Sequence, residues 1–336
     1  MDLDVALVCD ERCFELPEWR KLLARDPNRH IFNTPEWMRA WWDEFGAGKE
    51  ILLLTMKRAD DVTAIVPLYR KREGERRVLR FIGGIDLTDY LGPICSLDDR
   101  DEVAQALMRW LVTTDVEWDE LDAHNMPVPL GFAEFLVDRA DRSGFPFKLD
   151  QEETSAVVPL APGWEPYVSS LGSKDRHELR RKMRRLGREH PEASVRRASP
   201  DTLEADLRTF LGMHRGAEGH KGHFMRPEIA TFFERLAGAF MPLGWLRLDL
   251  LEIEGRAVAS TFSFALEQRF YLYNSAYEPD ARSLSPGYVL AAELIKRAIE
   301  EQLEFFDFLR GPERYKYQLG AQAVPLNSVR ILNERS

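Results

Sequence analysis

The chain has 336 residues, enough for two domains of ordinary size, and an apolar content of 44% allows each a core of its own. A net charge of −10 argues against general nucleic-acid binding, and no apolar run reaches the roughly 18 residues of a membrane-spanning helix. The acidic start, Met1 to Asp10, lacks the basic-then-apolar pattern of a secretory signal, so a cytoplasmic location is expected. Cys9, Cys13 and Cys95 fit no metal or redox spacing.

In chain order, Asp4 to Cys9 reads as a strand, and Phe14 to Arg25 and Pro35 to Phe45 read as helices. Trp37, Met38, Trp41, Trp42 and Phe45 crowd the second helix, as a core-facing stripe or as a groove for a substrate or partner. Glu50 to Lys57, Val62 to Tyr69 and Val78 to Ile82 follow as strands, and Gly83-Gly84 breaks the pattern. A helix from Asp99 to Val112, a strand from Trp118 to Ala123 and a helix from Leu130 to Arg142 complete this half. Gly144 to Leu160 reads as a strand and then a second one from Thr154, and the Pro159–Gly163 cluster marks a domain junction.

The second half opens on a helix from Ser173 to Arg188, whose apolar stripe is Leu179, Met183 and Leu186. Its other faces carry arginines, among them Arg181, Arg184 and Arg185. These are either a solvated face or an anion-binding surface for a phosphorylated sugar, a lipid-linked carrier, a membrane headgroup layer or the 3′-phosphate of a nucleotide cofactor such as CoA. Helices over residues 201–214 and 227–240 flank a glycine-rich loop, Gly216 to Phe224, carrying His220 and His223, which reads either as a substrate-facing loop over the cleft or as an ordinary surface connection. With His214 these histidines lack a carboxylate or cysteine at ligand spacing, so no metal is expected. A three-stranded meander follows: Gly244 to Ile253, Arg256 to Leu266 and Arg269 to Ala276. After a polar loop, Ser285-Pro286-Gly287 opens a helix with Val289, Leu290, Leu294, Ile295, Ala298 and Ile299 at helical spacing, and Phe305 to Leu309 is the next strand. Strand, loop, helix, strand is a right-handed βαβ unit. Ser285 suits an N-cap and Pro286 the first helical position, and the free amides there form an anion site suited to a pyrophosphate.

A meander, a glycine-bearing loop, a helix and a strand resemble the core of the GNAT N-acetyltransferases. The fuller pattern, S-P-G-x-x-L from Ser285 and F-D-F-L-x-G-x-E-x-Y-K from Phe306, resembles the CelD-like branch of that superfamily. It is also similar to the Fem aminoacyl transferases, which carry two GNAT-like domains in one chain. The resemblance implies an α+β fold of two tandem GNAT-like domains, with mixed central sheets flanked by helices. They would span 1–155, a degenerate copy without a glycine pair before Asp99, and 156–336, which would hold the acyl-CoA site. The usual phosphate loop is Q/R-x-x-G-x-G/A; the matching stretch here, Arg282 to Gly287, has a single glycine.

The activity so implied is acetyl-CoA-dependent N-acetyl transfer without a metal, to an amino sugar or an exopolysaccharide or cell-envelope precursor. Alternatives are a Fem-like transferase drawing on aminoacyl-tRNA and a silent scaffold in envelope polysaccharide synthesis. Arg282, Ser283, Leu284, Ser285, Gly287 and Tyr288 are the expected CoA-binding residues. Arg181, Arg184, Arg185, His220 and His223 are expected to bind substrate. Asp307 is either a general base with a raised pKa or a structural acceptor for backbone or Arg310, and Tyr315 or Tyr317 can protonate the leaving thiolate. Lys316 matches the Fem lysine linked to transition-state charge.

Overall fold

The computed structural model describes residues 3–26, 29–216 and 224–334. The chain divides into two compact units, Met1–Thr154 with Val324–Ser336, and Ser155–Ala323.

In the first unit, β1 (Asp4–Val8), β2 (Lys49–Arg58), β3 (Asp61–Glu73) and β4 (Arg76–Phe81) pair antiparallel in sequence order. β4 then runs parallel to β5 (Glu120–Pro127), and the crossover between them carries helix α3 (Arg100–Thr113). β2 and β3 read as near-continuous apolar runs because both faces are covered: Leu52, Leu54, Val66 and Leu68 pack in one core with Leu107 of α3. Helix α1 (Pro17–Arg25) is shorter at its start than the sequence suggested, since Glu11–Glu15 form a separate 3-10 turn and Pro17 restarts the helix. Helix α2 (Pro35–Phe45) buries Trp37, Met38, Trp41 and Trp42, so the aromatic stripe belongs to the core. Helix α4 (Phe132–Arg142) buries Phe132, Ala133, Leu136 and Ala140 in the same cluster as Leu107.

The last strand of the chain, β12 (Gln322–Leu332), pairs antiparallel with β5 from Leu326↔Pro127 to Leu332↔Glu120. The sequence division placed all residues after 155 in the second domain, whereas 324 onward returns to the first unit. The segment expected as two strands between Gly144 and Leu160 is one, β6 (Phe147–Pro159).

The second unit starts from the end of β6 and continues through α5 (Trp164–Ser170), α6 (Ser173–Glu189), β7 (Ser194–Arg197), α7 (Leu203–Arg215) and α8 (Pro227–Phe240). The expected meander follows as β8 (Leu246–Ile253), β9 (Arg256–Leu266) and β10 (Arg269–Tyr277). Its turns pivot on Glu254-Gly255 and Glu267, all with positive φ. Helix α9 (Pro286–Glu300) is the crossover to β11 (Phe305–Arg310), which lies parallel to β10 and antiparallel to the end of β6. One face of α9 packs Val289, Leu290, Leu294 and Ile295 against Phe270 and Phe306, whose rings stack at 4.8 Å. A short helix, α10 (Arg314–Gln318), follows β11.

Candidate active site

β10 and β11 hold a parallel register at only three pairs, Arg269↔Phe305, Phe270↔Phe306 and Tyr271↔Asp307, and then part. Each strand has a local cause. β10 carries a bulge between Leu272 and Asn274. β11 breaks register between Asp307 and Arg310, where Leu309 takes a left-handed φ of 60° and Gly311 a φ of 120°. The opening is a cleft of about 350 Å3 lined by Leu272, Tyr273, Asn274 and Ser275 on one edge and Phe308 and Arg310 on the other. His214 and Phe224, and Glu313, Tyr315 and Lys316, complete its walls.

A left-handed leucine costs on the order of 1–2 kcal/mol and persists only where its surroundings over-determine it. Two buried side chains do so here. The fully buried Asp307 accepts the Leu309 N–H at Oδ1 (2.9 Å) and pairs with Arg269 through Oδ2 (3.0 Å). From the other side Lys316, only 3% exposed, donates to the carbonyls of Arg310 (2.6 Å), Leu309 (3.3 Å) and Gly311 (3.4 Å), and meets Glu313 Oε2 at 2.9 Å. Three ammonium protons are thus shared among four acceptors. Gly311 holds a φ of 120°, which residues with a Cβ rarely adopt, and a Cβ there would also push on Glu313 Oε2.

Tyr315 sets its ring edge-on to Phe308 at 5.7 Å and its hydroxyl in hydrogen bond with Ser275 across the cleft. Burial, and then the Glu313 carboxylate, raise its pKa, so the phenol keeps its proton. Tyr317 is exposed and stands outside the cleft lining. The cleft residues that the sequence did not single out are Leu272, Tyr273, Asn274, Ser275, Glu313 and Phe224; Arg310, a candidate partner of Asp307, lines the cleft, and the Asp307 ion pair is made with Arg269. Glu313 lay in plain view inside the F-D-F-L-x-G-x-E-x-Y-K stretch. His214 was weighed only as a metal ligand and is a buried wall residue against Phe210 at 4.9 Å. His220 and His223 lie outside the described residues.

The helix start differs from expectation in one respect. Ser285 has a left-handed φ of 54° and its side chain caps nothing, so it is a backbone turn and not a side-chain N-cap. Pro286 occupies the first position as expected, and the first turn of α9 carries no acid. Its leading amides therefore have no intrahelical partner and no competing carboxylate on the helix. A Cβ on Gly287 would meet only Tyr277 Cδ1, at 3.6 Å. Arg282 and Ser283 are exposed, while Leu284 packs against the core. Tyr288 can contribute its N–H alone, because its ring is buried beneath Lys182 Nζ at 4.1 Å. Of the basic helix, Arg185 donates to the Ser283 carbonyl (2.9 Å) and pairs with Glu189, while Arg181 is forked on Glu178 and Arg184 bonds the Arg180 carbonyl.

The first unit repeats the plan with the opposite outcome. β4 and β5 register only at Val78↔Glu120 and Leu79↔Leu121. There the chain after β4 is tied to the end of β5: Asn125 Nδ2 donates to the carbonyls of Ile85 (2.9 Å) and Thr88 (2.8 Å), and Leu91 N–H bonds the Asn125 carbonyl (3.0 Å). Trp37 Nε1 reaches Thr88 Oγ1 at 2.9 Å behind it. The first turn of α3 carries Asp101 and Glu102, which oppose an anion.

Residues 173–317 match the family model of the acetyltransferase (GNAT) domain. Among solved structures, FemX superposes with a TM-score of 0.68 at 12% identity, covering 98% of each chain. A conserved protein of unknown function from Bacteroides thetaiotaomicron gives 0.60 at 14%, over 98% of this chain and 100% of that one. The C-terminal domain of a putative lysylphosphatidylglycerol synthetase from Agrobacterium fabrum gives 0.59 at 10%, over 97% and 93%. No curated protein matches the sequence. At these identities the likenesses are of fold, and the fold is the tandem GNAT-like one, a mixed sheet flanked by helices.

Proposed function

We propose that this GNAT-like chain is an acyl-CoA-dependent N-acyltransferase working in the β10–β11 cleft. One observation carries the reading: the second unit has an open cleft at β10 and an acid-free helix start whose Gly287 lies beside Tyr277 at the end of that same strand, while the matching helix start in the first unit is acidic and the chain before it is tied to Asn125. Acyl-CoA supplies the acyl group as a thioester. The amides opening α9, from Ser285 to Tyr288, hold the pyrophosphate, with Arg282, Ser283 and Leu284 shaping the turn before them. The acceptor amine attacks the carbonyl carbon, the C–S bond breaks, and the Tyr315 phenol gives its proton to the departing sulfur. Glu313, half exposed beside Lys316, takes the proton lost by the amine. Asp307 and Lys316 act as positioning residues that keep the two edges apart. An amino sugar or cell-envelope precursor as acceptor follows from the CelD-like resemblance alone.

A second reading, a Fem-like aminoacyl transferase, draws on the likeness to FemX over nearly the whole of both chains. The net charge of −10 weighs against a tRNA donor. Calorimetric titration with acetyl-CoA decides between the donors. Saturable binding, weakened at least about tenfold in a folded Gly287→Asp variant, is the expected result, because the change places negative charge where the pyrophosphate rests. Thiol release on adding amino-sugar acceptors then identifies the enzyme. No acetyl-CoA binding, with transfer from charged tRNA, would put the second reading in its place; neither would leave a silent scaffold.

A further inference from the structure

Helix α6 is outside the chemistry just described, yet it holds the densest positive charge of any described helix. Between Ser173 and Glu189 it has eight Lys or Arg against three Asp or Glu, an excess of five in a protein of net charge −10. Leu179 and Leu186 are its buried contacts, so packing does not demand those arginines.

One edge of α6 is fixed beside the start of α9. Arg185 Nη1 bonds the Ser283 carbonyl at 2.9 Å, and Lys182 Nζ sits 4.1 Å over the Tyr288 ring. Arg181 lies one residue before Lys182 and one helical turn before Arg185, on the Arg185 face of α6. Its Nε and Nη2 are held by Glu178 at 2.9 and 2.8 Å, which fixes the guanidinium plane, and half of the side chain is exposed. Arg185 is held in the same way by Glu189 through Nε and by Ser283 through Nη1. Glu178, also near Lys182 at 3.6 Å, and Glu189 are neutralised by these cations.

We infer that Arg181 and Arg185, with Lys182, form a second phosphate subsite beside the α9 start. It reads the 3′-phosphate on the ribose of CoA. This rests on the acyl-CoA reading above. Planar, pre-fixed guanidinium groups suit a phosphate dianion. A single charge-assisted contact set of this kind contributes on the order of tenfold or more in affinity. The interaction is solvent-facing, so it weakens as salt rises.

The test measures dissociation constants for CoA and for 3′-dephospho-CoA. The wild type should prefer CoA by about tenfold or more at low salt. In Arg181→Gln/Arg185→Gln that ratio should fall to about one, with the 3′-dephospho-CoA constant and the melting temperature unchanged. Arg181→Gln alone, which bonds no atom of the α9 loop, should narrow the ratio in the same direction. Equal affinity of the wild type for both ligands, with both lost in Gly287→Asp, overturns the subsite and leaves the donor site standing. A double variant that weakens both ligands equally also overturns it, since Arg185 would then only hold the loop. If neither ligand binds the wild type, the donor reading fails and the subsite with it.

Discussion

At Leu309 a leucine is held in a backbone conformation that leucine avoids, by Asp307 on its amide and Lys316 on its carbonyl. Lys316→Met would leave the carbonyls of Leu309, Arg310 and Gly311 facing a methyl group in a dry site. We expect a loss of about 2–4 kcal/mol in denaturant unfolding, with transferase activity falling alongside. Full stability with lost activity would instead assign the ammonium to the reacting atoms. The motif around Lys316 was legible in the sequence; its role was not, because the acceptors are backbone atoms of a turn whose shape no local pattern specifies. The first unit has a titrating counterpart in His124, between Asp122 (2.9 Å) and Glu152 (2.5 Å). Burial opposes its charged form, but the two carboxylates win and lift its pKa to about 9. Asp122, also beside Arg80, is lowered against burial to about 2. A raised histidine pKa adds stability that is complete below the unfolded value near 6.5 and is lost as pH rises through about 9. Wild-type stability should therefore drop by roughly 1–3 kcal/mol between pH 6.5 and 9.5, and His124→Gln should flatten that slope. An equal slope in the variant would place the titration elsewhere.

The two helix starts differ in charge: the first turn of α3 carries Asp101 and Glu102, and that of α9 carries no acid. The S-P-G opening of α9 and its apolar spacing were readable, and the helix begins at Pro286 as expected. Ser285 misled because a good capping residue can also serve as a left-handed turn residue, and only the path of the chain chooses. In α3 the missing glycine pair pointed to a degenerate copy. The segment bonded to Asn125 is a long-range feature that the sequence does not display. Asn125 itself has a φ of 53°, so Asn125→Gly removes the amide without straining the backbone. That variant should lose about 1–3 kcal/mol of stability while acetyl-CoA affinity stays the same. A change in acetyl-CoA affinity would mean that the first unit takes part in donor binding.

Over the whole molecule, the meander, α9 and β11 were legible because aromatic alternation and helical spacing are local signals. β12 was not, since its partner β5 lies far upstream and strand patterns do not name their partners. Ending the chain at residue 323 should expose the β5 edge and lower the melting temperature sharply; an unchanged melting temperature would show β12 to be dispensable. The central claim is that the second unit alone holds the acyl donor, at the α9 start and in the β10–β11 cleft. Hydrogen exchange with and without acetyl-CoA tests it most directly. The account predicts protection at residues 285–290, 272–275 and 308–316, and none at 82–102. Protection centred on 82–102, or on neither unit at saturating acetyl-CoA, would contradict it.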